Sequence, residues 1–249
     1  MIDIHAHILP GVDDGSPSLA SSLEMARLAL ESGVDAMIAT PHCNLPEGDE
    51  MLWADALARR TEELSAALAE ERVPLRLYAG MEIFGMPDTA DKLRDGRLCT
   101  LASSRYPLIE FPFHDYALEA TELLGRVLDL GLRPIVAHPE RYRYAQEEPR
   151  LLNLWADMGC LLQVNRGSLL GRFGPRAEAL GSSLVARGFA AFVASDAHTS
   201  VVRTPWMRDV QELLRREYSQ RSARLLLEEN AERVLRNETI EMDEPDWFD

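Results

Sequence analysis

Cysteine is scarce in this chain, with three in 249 residues. So small and odd a number offers no disulfide framework, which points to a reducing compartment and a cytoplasmic protein. Long hydrophobic runs are also missing. No apolar stretch approaches the ~20 residues of a membrane span. The opening MIDIHAH has neither the basic start nor the apolar run of a signal peptide. Membrane insertion is therefore not expected. Basic charge is in short supply as well, with 26 Lys and Arg against 41 Asp and Glu and a formal net charge of −15. A field of that sign repels nucleic acid and anionic membrane, so neither is expected as a partner. Bound divalent cations would reverse the sign locally. What the chain does hold is an ordinary 46% of hydrophobic residues, enough for a sizeable core.

Short apolar or β-branched runs at residues 2–5, 35–40, 75–81, 107–111, 133–137, 160–164 and 191–194 read as strands. Helical periodicity fills the intervals at 18–32, 51–71, 118–130, 149–158, 176–187 and 205–216, and a last helix is expected over 220–236. In the first of these Ser16 is placed to cap, Pro17 suits the first turn and Gly33 sits where a helix stops. Strand–helix alternation repeated about seven times argues for a parallel α/β fold, closed or open. No low-complexity linker or internal repeat divides it. One domain over 1–249 is the simplest account, with the acidic tail EMDEPDWFD, from about residue 238, expected to fray.

The rare residues fall in telling places. Five of the six histidines lie at or just beyond the end of an expected strand: His5 and His7, His42, His138 and His198. Carboxylates occupy matching positions, with Glu82 after the third strand, Glu110 in the fourth and Asp196 after the seventh. In a β/α barrel those strand ends converge on one face, where catalytic groups gather. Period-two alternation in the first strand predicts Asp3, His5 and His7 on one side and Ile2 and Ile4 on the other. Any one of these histidines has an ordinary structural explanation, and His114 is left without a role. The set does not. Neutral imidazoles mixed with carboxylates suit Mn, Fe or Zn, with Mg possible and Ca a poorer fit. So many donors exceed what one ion needs, which implies two or three ions sharing bridging carboxylates. Such sites hydrolyse phosphate esters by activating a water and clamping the displaced oxygens.

Arginines supply the other half of that chemistry. Arg141 follows His138 in AHPER and Arg203 follows His198 in SDAHTSVVR. Guanidinium forks hold phosphate oxygens bidentately. Arg166, in QVNRGS, is a weaker candidate with no ligand beside it. A cysteine-based alternative also exists, because a Cys, five residues and an Arg occur twice, at Cys99–Arg105 and Cys160–Arg166. The second copy reads as a strand, which at ~3.3 Å per residue would hold its ends roughly 20 Å apart. The first leads into a strand and has no glycine for a tight cradle. Both are expected to be accidental.

At DIHAHILPGVDDG, IATPHC, GMEI, LIEFP, AHPERY, LLQVNRGSLLG and SDAHT followed by RTP, the sequence resembles the polymerase-and-histidinol-phosphatase (PHP) superfamily. More narrowly it resembles bacterial PHP-type protein tyrosine phosphatases of capsule and exopolysaccharide systems. These stretches run in order from residue 2 to about 205, and fit less closely between residues 84 and 105. The resemblance implies a distorted (β/α)7 barrel with a trinuclear site, usually manganese-supported. It implies His5, His7, Asp14, His42, Glu82, Glu110, His138, Asp196 and His198 as ligands, with Arg141 and Arg203 binding phosphate. Asp14 enters by resemblance alone; unaided, it reads as a turn residue in GVDDG. Relatives often carry a second His at Cys43 and an Asn at Thr199, departures that bear on substrate preference. The implied function is metal-dependent hydrolysis of phosphotyrosine on proteins, with a bacterial tyrosine kinase of the polysaccharide system as partner. Three alternatives stay open: a PHP phosphatase for a small ester such as histidinol phosphate, a nuclease, which the acidic surface disfavours, and a degenerate module serving as a binding scaffold, which the full ligand set disfavours.

Overall fold

The computed structural model describes residues 1–46, 53–114 and 116–249. All seven expected strands form, and two of them resume, after a break, as a further short strand beyond the expected end. The described strands are β1 (Ile2–Ala6), β2 (Ala36–Ala39), β3 (His42–Cys43), β4 (Arg76–Ala79), β5 (Glu82–Phe84), β6 (Leu108–Glu110), β7 (Ile135–Ala137), β8 (Leu161–Asn165) and β9 (Ala190–Ala194). After the second expected strand, β2 is separated from β3 at Pro41, which has no N–H for the ladder. The third breaks between β4 and β5 at Gly80. There a Cβ would lie 2.7 Å from Ile38 and 2.8 Å from Leu101, so the close approach needs glycine.

Every pairing is parallel. One sheet runs β1-β2-β4 and the other β3-β5-β6-β7-β8-β9. The interrupted strands carry the chain from one sheet into the other, and a lone bridge between Ala6 and Ala197 brings the end of β9 back to β1. The pairings thus run round a circuit of seven, the distorted (β/α)7 barrel expected from the sequence. Closure at the last seam rests on that bridge and the bonds beside it, from Asp196 N to His5 O (2.9 Å) and from His7 N to Ala197 O (2.8 Å).

Two apolar clusters follow from this arrangement. One joins residues of six strands, among them Ile4, Ile38, Leu108, Ile135, Leu161 and Phe192, and lies inside the circuit. The other packs strand residues such as Met37, Ile109 and Val164 against helix faces, for example Met25 and Ala29 of Leu19–Glu31 and Leu57 and Leu64 of Ala54–Glu70. Residues 51 and 52 of the second expected helix lie outside the described residues. The cap of the first helix differs from expectation. Ser18 takes that place and accepts from Ser21 N, while Ser16 is buried and bonded to Ser18 O and Ser22. The expected last helix forms as Gln220–Arg224 and Asn230–Leu235 joined by a π-helical turn at Leu225–Glu229.

The acidic tail does not fray. Tyr106 donates its hydroxyl to Glu238 O at 2.6 Å, Ile240 is fully buried, and Arg133 bonds the Ile240 carbonyl. Farther on, Asn153 makes two hydrogen bonds to Phe248, whose ring stacks on Phe189 at 5.1 Å. Composition suggested a solvated segment, but its two aromatic residues and Ile240 find apolar partners on the barrel. Ile240→Ala is expected to cost about 2–5 kcal/mol in a chemical-denaturation experiment, the usual loss on emptying a buried Ile site. An unchanged midpoint would show that the tail contributes nothing.

Candidate metal centre

The expected ligands meet at the ends of the strands. His5 and His7 come from β1 and the residues after it, His42 from β3, Glu82 from β5 and Glu110 from β6. His138 stands just past β7, and Asp196 and His198 just past β9. Two of them, His138 (φ 33°) and Asp196 (φ 51°), hold left-handed backbone, which costs energy in a residue with a side chain. Each turns sharply out of its strand, and that turn aims the side chain at its neighbours.

The alternation expected along β1 holds only in part. A register shift between Asp3 and Ala6 exchanges the two faces, so Ile2 and Ile4 join the inner cluster and Ala6 and Ile8 the outer. His5 and His7 still meet, Nε2 to Nε2, at 3.3 Å. Asp3 does not join them. It accepts from Ser195 N (3.0 Å) and from His5 N (3.4 Å), tying β1 to β9.

Among the described residues four groups have donor atoms close enough to share an ion. They are His7, Asp14, His42 and His198; His5, His7 and Asp196; His5, Glu82 and His138; and His42, Glu82 and Glu110. His5, His7, His42 and Glu82 each belong to two groups, so the four fuse into one cluster holding all nine expected ligands. Glu82 lies at its centre. Its oxygens stand 3.2 Å from His5 Nε2, 3.2 Å from His7 Nε2, 2.9 Å from His138 Nε2 and 2.9 Å from His42 Nδ1. Asp14, 66% exposed, closes the outer side, 3.5 Å from His42 Nε2 and 3.4 Å from His198 Nε2. His114 is exposed and stands apart from these groups.

The donor set fits ions better than it fits itself. Two imidazole nitrogens on one tetrahedral ion, at ~2.0–2.1 Å each, stand roughly 3.3 Å apart. That is the spacing of His5 and His7. Among the described residues, His42 Nδ1, His138 Nδ1 and Glu82 Oε2 are buried without hydrogen-bond partners; the 2.9 Å approach of the first to the last is not aligned as a hydrogen bond. The backs of three histidines are held, as ligating imidazoles usually are. His7 Nδ1 donates to Asp13 at 2.7 Å, His5 Nδ1 to Gln163 at 2.9 Å and His198 Nδ1 to the Asp196 carbonyl at 3.1 Å.

Charge tells the same story. Burial pushes the Glu110 carboxyl up to about 8, and the nearby Glu82 charge adds to the effect. Burial pushes His138 and His198 each down to about 4. At Glu82 and Asp196 burial acts upward, yet the surrounding histidines hold both well below the carboxylate range. At His7 burial acts downward, and Asp13, Asp196 and Glu82 outweigh it, leaving the imidazole raised. The carboxylates draw positive charge onto His5, His7 and His42, and divalent ions would supply that charge in place of protons. Ion uptake near pH 7 should therefore expel protons, and affinity should weaken as pH falls through the imidazole range. Titration calorimetry in two buffers of different ionisation enthalpy would detect the release; identical heats in both would contradict it.

Arg141 and Arg203 reach the rim, 20% and 29% exposed. Arg141 lies between two rings, 4.7 Å from Phe113 and 4.4 Å from Phe173, and its Nη1 is 3.3 Å from Asp196 Oδ2. Arg203 also meets Asp196 Oδ2, and its Nη1 is 3.0 Å from His198 Nε2. An ion on His198 would displace that contact and free the guanidinium. Arg166 is not part of the rim. It forks onto Asp209 (2.7 and 2.5 Å) and donates to Thr204 O, fully engaged inside the protein.

Neither cysteine motif makes a phosphate cradle. Burial pushes Cys99 and Cys160 each up to about 12, far from a thiolate. Arg105 bonds Asn237, and the arginine of the second motif is the one held by Asp209. Sequence reasoning missed Asp13, Gln163, Asn165, Phe113 and Phe173. Gln163 and Asn165 had a signal: two amides spaced by two in an otherwise apolar strand, hence on one face.

The model of the family described as capsular polysaccharide synthesis, CpsB/CapC, matches residues 1–236. The chain is 38% identical over 240 residues to tyrosine-protein phosphatase YwqE of Bacillus subtilis (strain 168), covering 96% of this chain and 93% of that one. It is 28% identical over 248 residues to tyrosine-protein phosphatase CpsB of Streptococcus pneumoniae, covering 96% and 100%. A solved structure from work on those two proteins, described as unique metal-dependent tyrosine phosphatases, superposes with a TM-score of 0.94 at 36% identity over 100% of both chains. An organophosphorus hydrolase from Deinococcus radiodurans, at TM-score 0.60 and 15% identity over 94% and 92%, shares the fold alone. With the strand circuit, the nine converging donor residues and these near full-length matches together, the chain belongs to the CpsB/CapC family.

Proposed function

We propose that this protein is a metal-dependent protein tyrosine phosphatase serving capsule or exopolysaccharide synthesis. One observation carries the reading: nine metal-type donors fuse into a single cluster whose open side is flanked by Arg141 and Arg203. His5, His7, Asp14, His42, Glu82, Glu110, His138, Asp196 and His198 would hold two or three divalent ions. The mixed imidazole and carboxylate set suits Mn²⁺. When bound, the ions would lower the pKa of a water and neutralise phosphate oxygens. Everything else falls to the chain. Arg141, held against the rings of Phe113 and Phe173, presents its fork to the phosphate dianion. Arg203 joins it, and both exchange Asp196 for phosphate oxygens as charge moves onto the leaving group. A phenol, with pKa ~10, leaves more readily than an aliphatic alcohol, so arginines can carry much of that burden.

The same reading makes residues 1–249 one phosphoesterase domain, cytoplasmic, with none of its three cysteines in a disulfide. Its partner would be the phosphotyrosine-bearing kinase of the polysaccharide system. Turnover of a phosphotyrosyl peptide compared with histidinol phosphate tests the substrate class, and preference for the small ester would overturn it. The mechanism needs no thiolate. Cys99→Ser and Cys160→Ser should each keep activity within a few-fold, apart from any packing cost at buried Cys160, and each should still be silenced by chelation. A folded, metal-loaded Cys99→Ser without activity would show that the reaction runs through cysteine.

A further inference from the structure

Behind the cluster a chain of side-chain amides joins two of its members. Asn165 Nδ2 donates to Asp196 Oδ2 at 2.6 Å, Gln163 Nε2 donates to Asn165 Oδ1 at 2.8 Å, and Gln163 Oε1 faces His5 Nδ1 at 2.9 Å. All four residues are buried, with Gln163, Asn165 and His5 fully so. The direction of this chain follows from one end. Asp196 faces two guanidinium groups and is a carboxylate, which can only accept. Asn165 must therefore turn its NH₂ toward Asp196 and its oxygen toward Gln163. Gln163 must then turn its own NH₂ toward Asn165 and its oxygen toward His5. His5 Nδ1 has no choice but to carry a proton, and Nε2 is the nitrogen left to face the cluster.

We infer that Gln163 and Asn165 are positioning residues, a polarised amide relay that sets the tautomer of His5 from the charge on Asp196 and holds Asp196 in place while its arginines turn to phosphate. Both sit on one face of β8, two residues apart, so the strand's own period puts them in line. The relay is anchored from behind, where the backbone N–H of Asn165 donates to Glu140 Oε1 at 3.0 Å and Ser168 donates to the same oxygen at 2.6 Å. On Asp196 Oδ2 the Asn165 amide stands beside Arg141 and Arg203. When both guanidinium groups engage substrate, Asn165 is the donor that remains, so Oδ1 stays directed at His5 and His7, 3.6 and 3.5 Å away.

The inference rests on the metal-centre reading above. Its test compares wild type, Gln163→Met, Asn165→Ala and the double variant. Mn²⁺ affinity is measured by competition with a chelator, and unfolding of the metal-free protein by calorimetry. Each single variant should lose 10- to 100-fold in affinity, the scale for partners behind a ligand. The double variant should lose little more than the worse single, because both cut the same relay. Metal-free Gln163→Met should unfold only modestly below wild type, since Met fills the volume but His5 Nδ1 and Asn165 Oδ1 lose their buried partner. Gln163→Met with wild-type affinity would overturn the relay, as would losses that multiply in the double variant. A metal-free Gln163→Met that unfolds well below wild type yet keeps wild-type Mn²⁺ affinity would assign the residue to packing instead. Wild-type protein that takes up no ion would overturn the metal reading, and the relay with it.

Discussion

Stripping the protein with a strong chelator is expected to reduce phosphotyrosine hydrolysis to background, and Mn²⁺ to restore it. The raised imidazoles of His5, His7 and His42 show how strongly Glu82 and its neighbours draw positive charge once burial has been overcome. The stripped state has no Lewis acid to lower the pKa of a water. Glu82→Gln should come close to the same result by mutation, because this one side chain contacts four of the five histidines in the cluster. Metal analysis after gel filtration should show that variant holding fewer ions than wild type. His138→Ala should also lose metal, since it removes a donor from the group it shares with His5 and Glu82. Full activity from protein shown by elemental analysis to be metal-free would end the proposal.

Arg141→Ala should behave differently, keeping wild-type metal content and losing roughly 10²-fold or more in kcat/KM, the scale for one transition-state charge partner. The separation is expected because Arg141 is not itself a donor to the cluster; it touches Asp196 only through Oδ2, while Oδ1 faces the histidines. Arg141→Lys should rescue poorly. An ammonium cannot lie flat between Phe113 and Phe173 and present two parallel N–H bonds. Steady-state kinetics on a phosphotyrosyl peptide, paired with metal analysis of the same samples, would check both. Normal kinetics in Arg141→Ala would move the clamp to Arg203 alone, since Arg166 is committed to Asp209.

Much of this centre is legible in the chain because strand ends are local features. Each of His5, His42, Glu82, Glu110, His138 and Asp196 lies in or just after a run of apolar residues, and the parallel architecture sends every such end to the same face. Asp14 needed the family resemblance, because GVDDG has two adjacent aspartates and nothing local separates them. In the structure they diverge: Asp13 turns in to His7 and the His42 backbone, and Asp14 turns out toward His42 and His198. Cys43 and Thr199 directly follow the expected ligands His42 and His198. Thr199 accepts from Val201 and Val202 N–H in the turn that leads to Arg203.

The sequence by itself determined the kinds of donor, their order along seven strands, and hence a metal-binding phosphoesterase barrel, because those follow from residue type and short-range periodicity. Tertiary structure alone decided which charge meets which. Arg166 and Arg141 both follow strands, yet one is neutralised by Asp209, 43 residues on, and the other is held between two rings at the rim. The tail from 238 looked solvated by composition and is docked, because Ile240 and Phe248 find surfaces built from residues about a hundred positions earlier or from β9's approach. Coulombic and hydrogen-bond partners act over a few ångströms in space and are indifferent to distance along the chain, so only the fold could assign them.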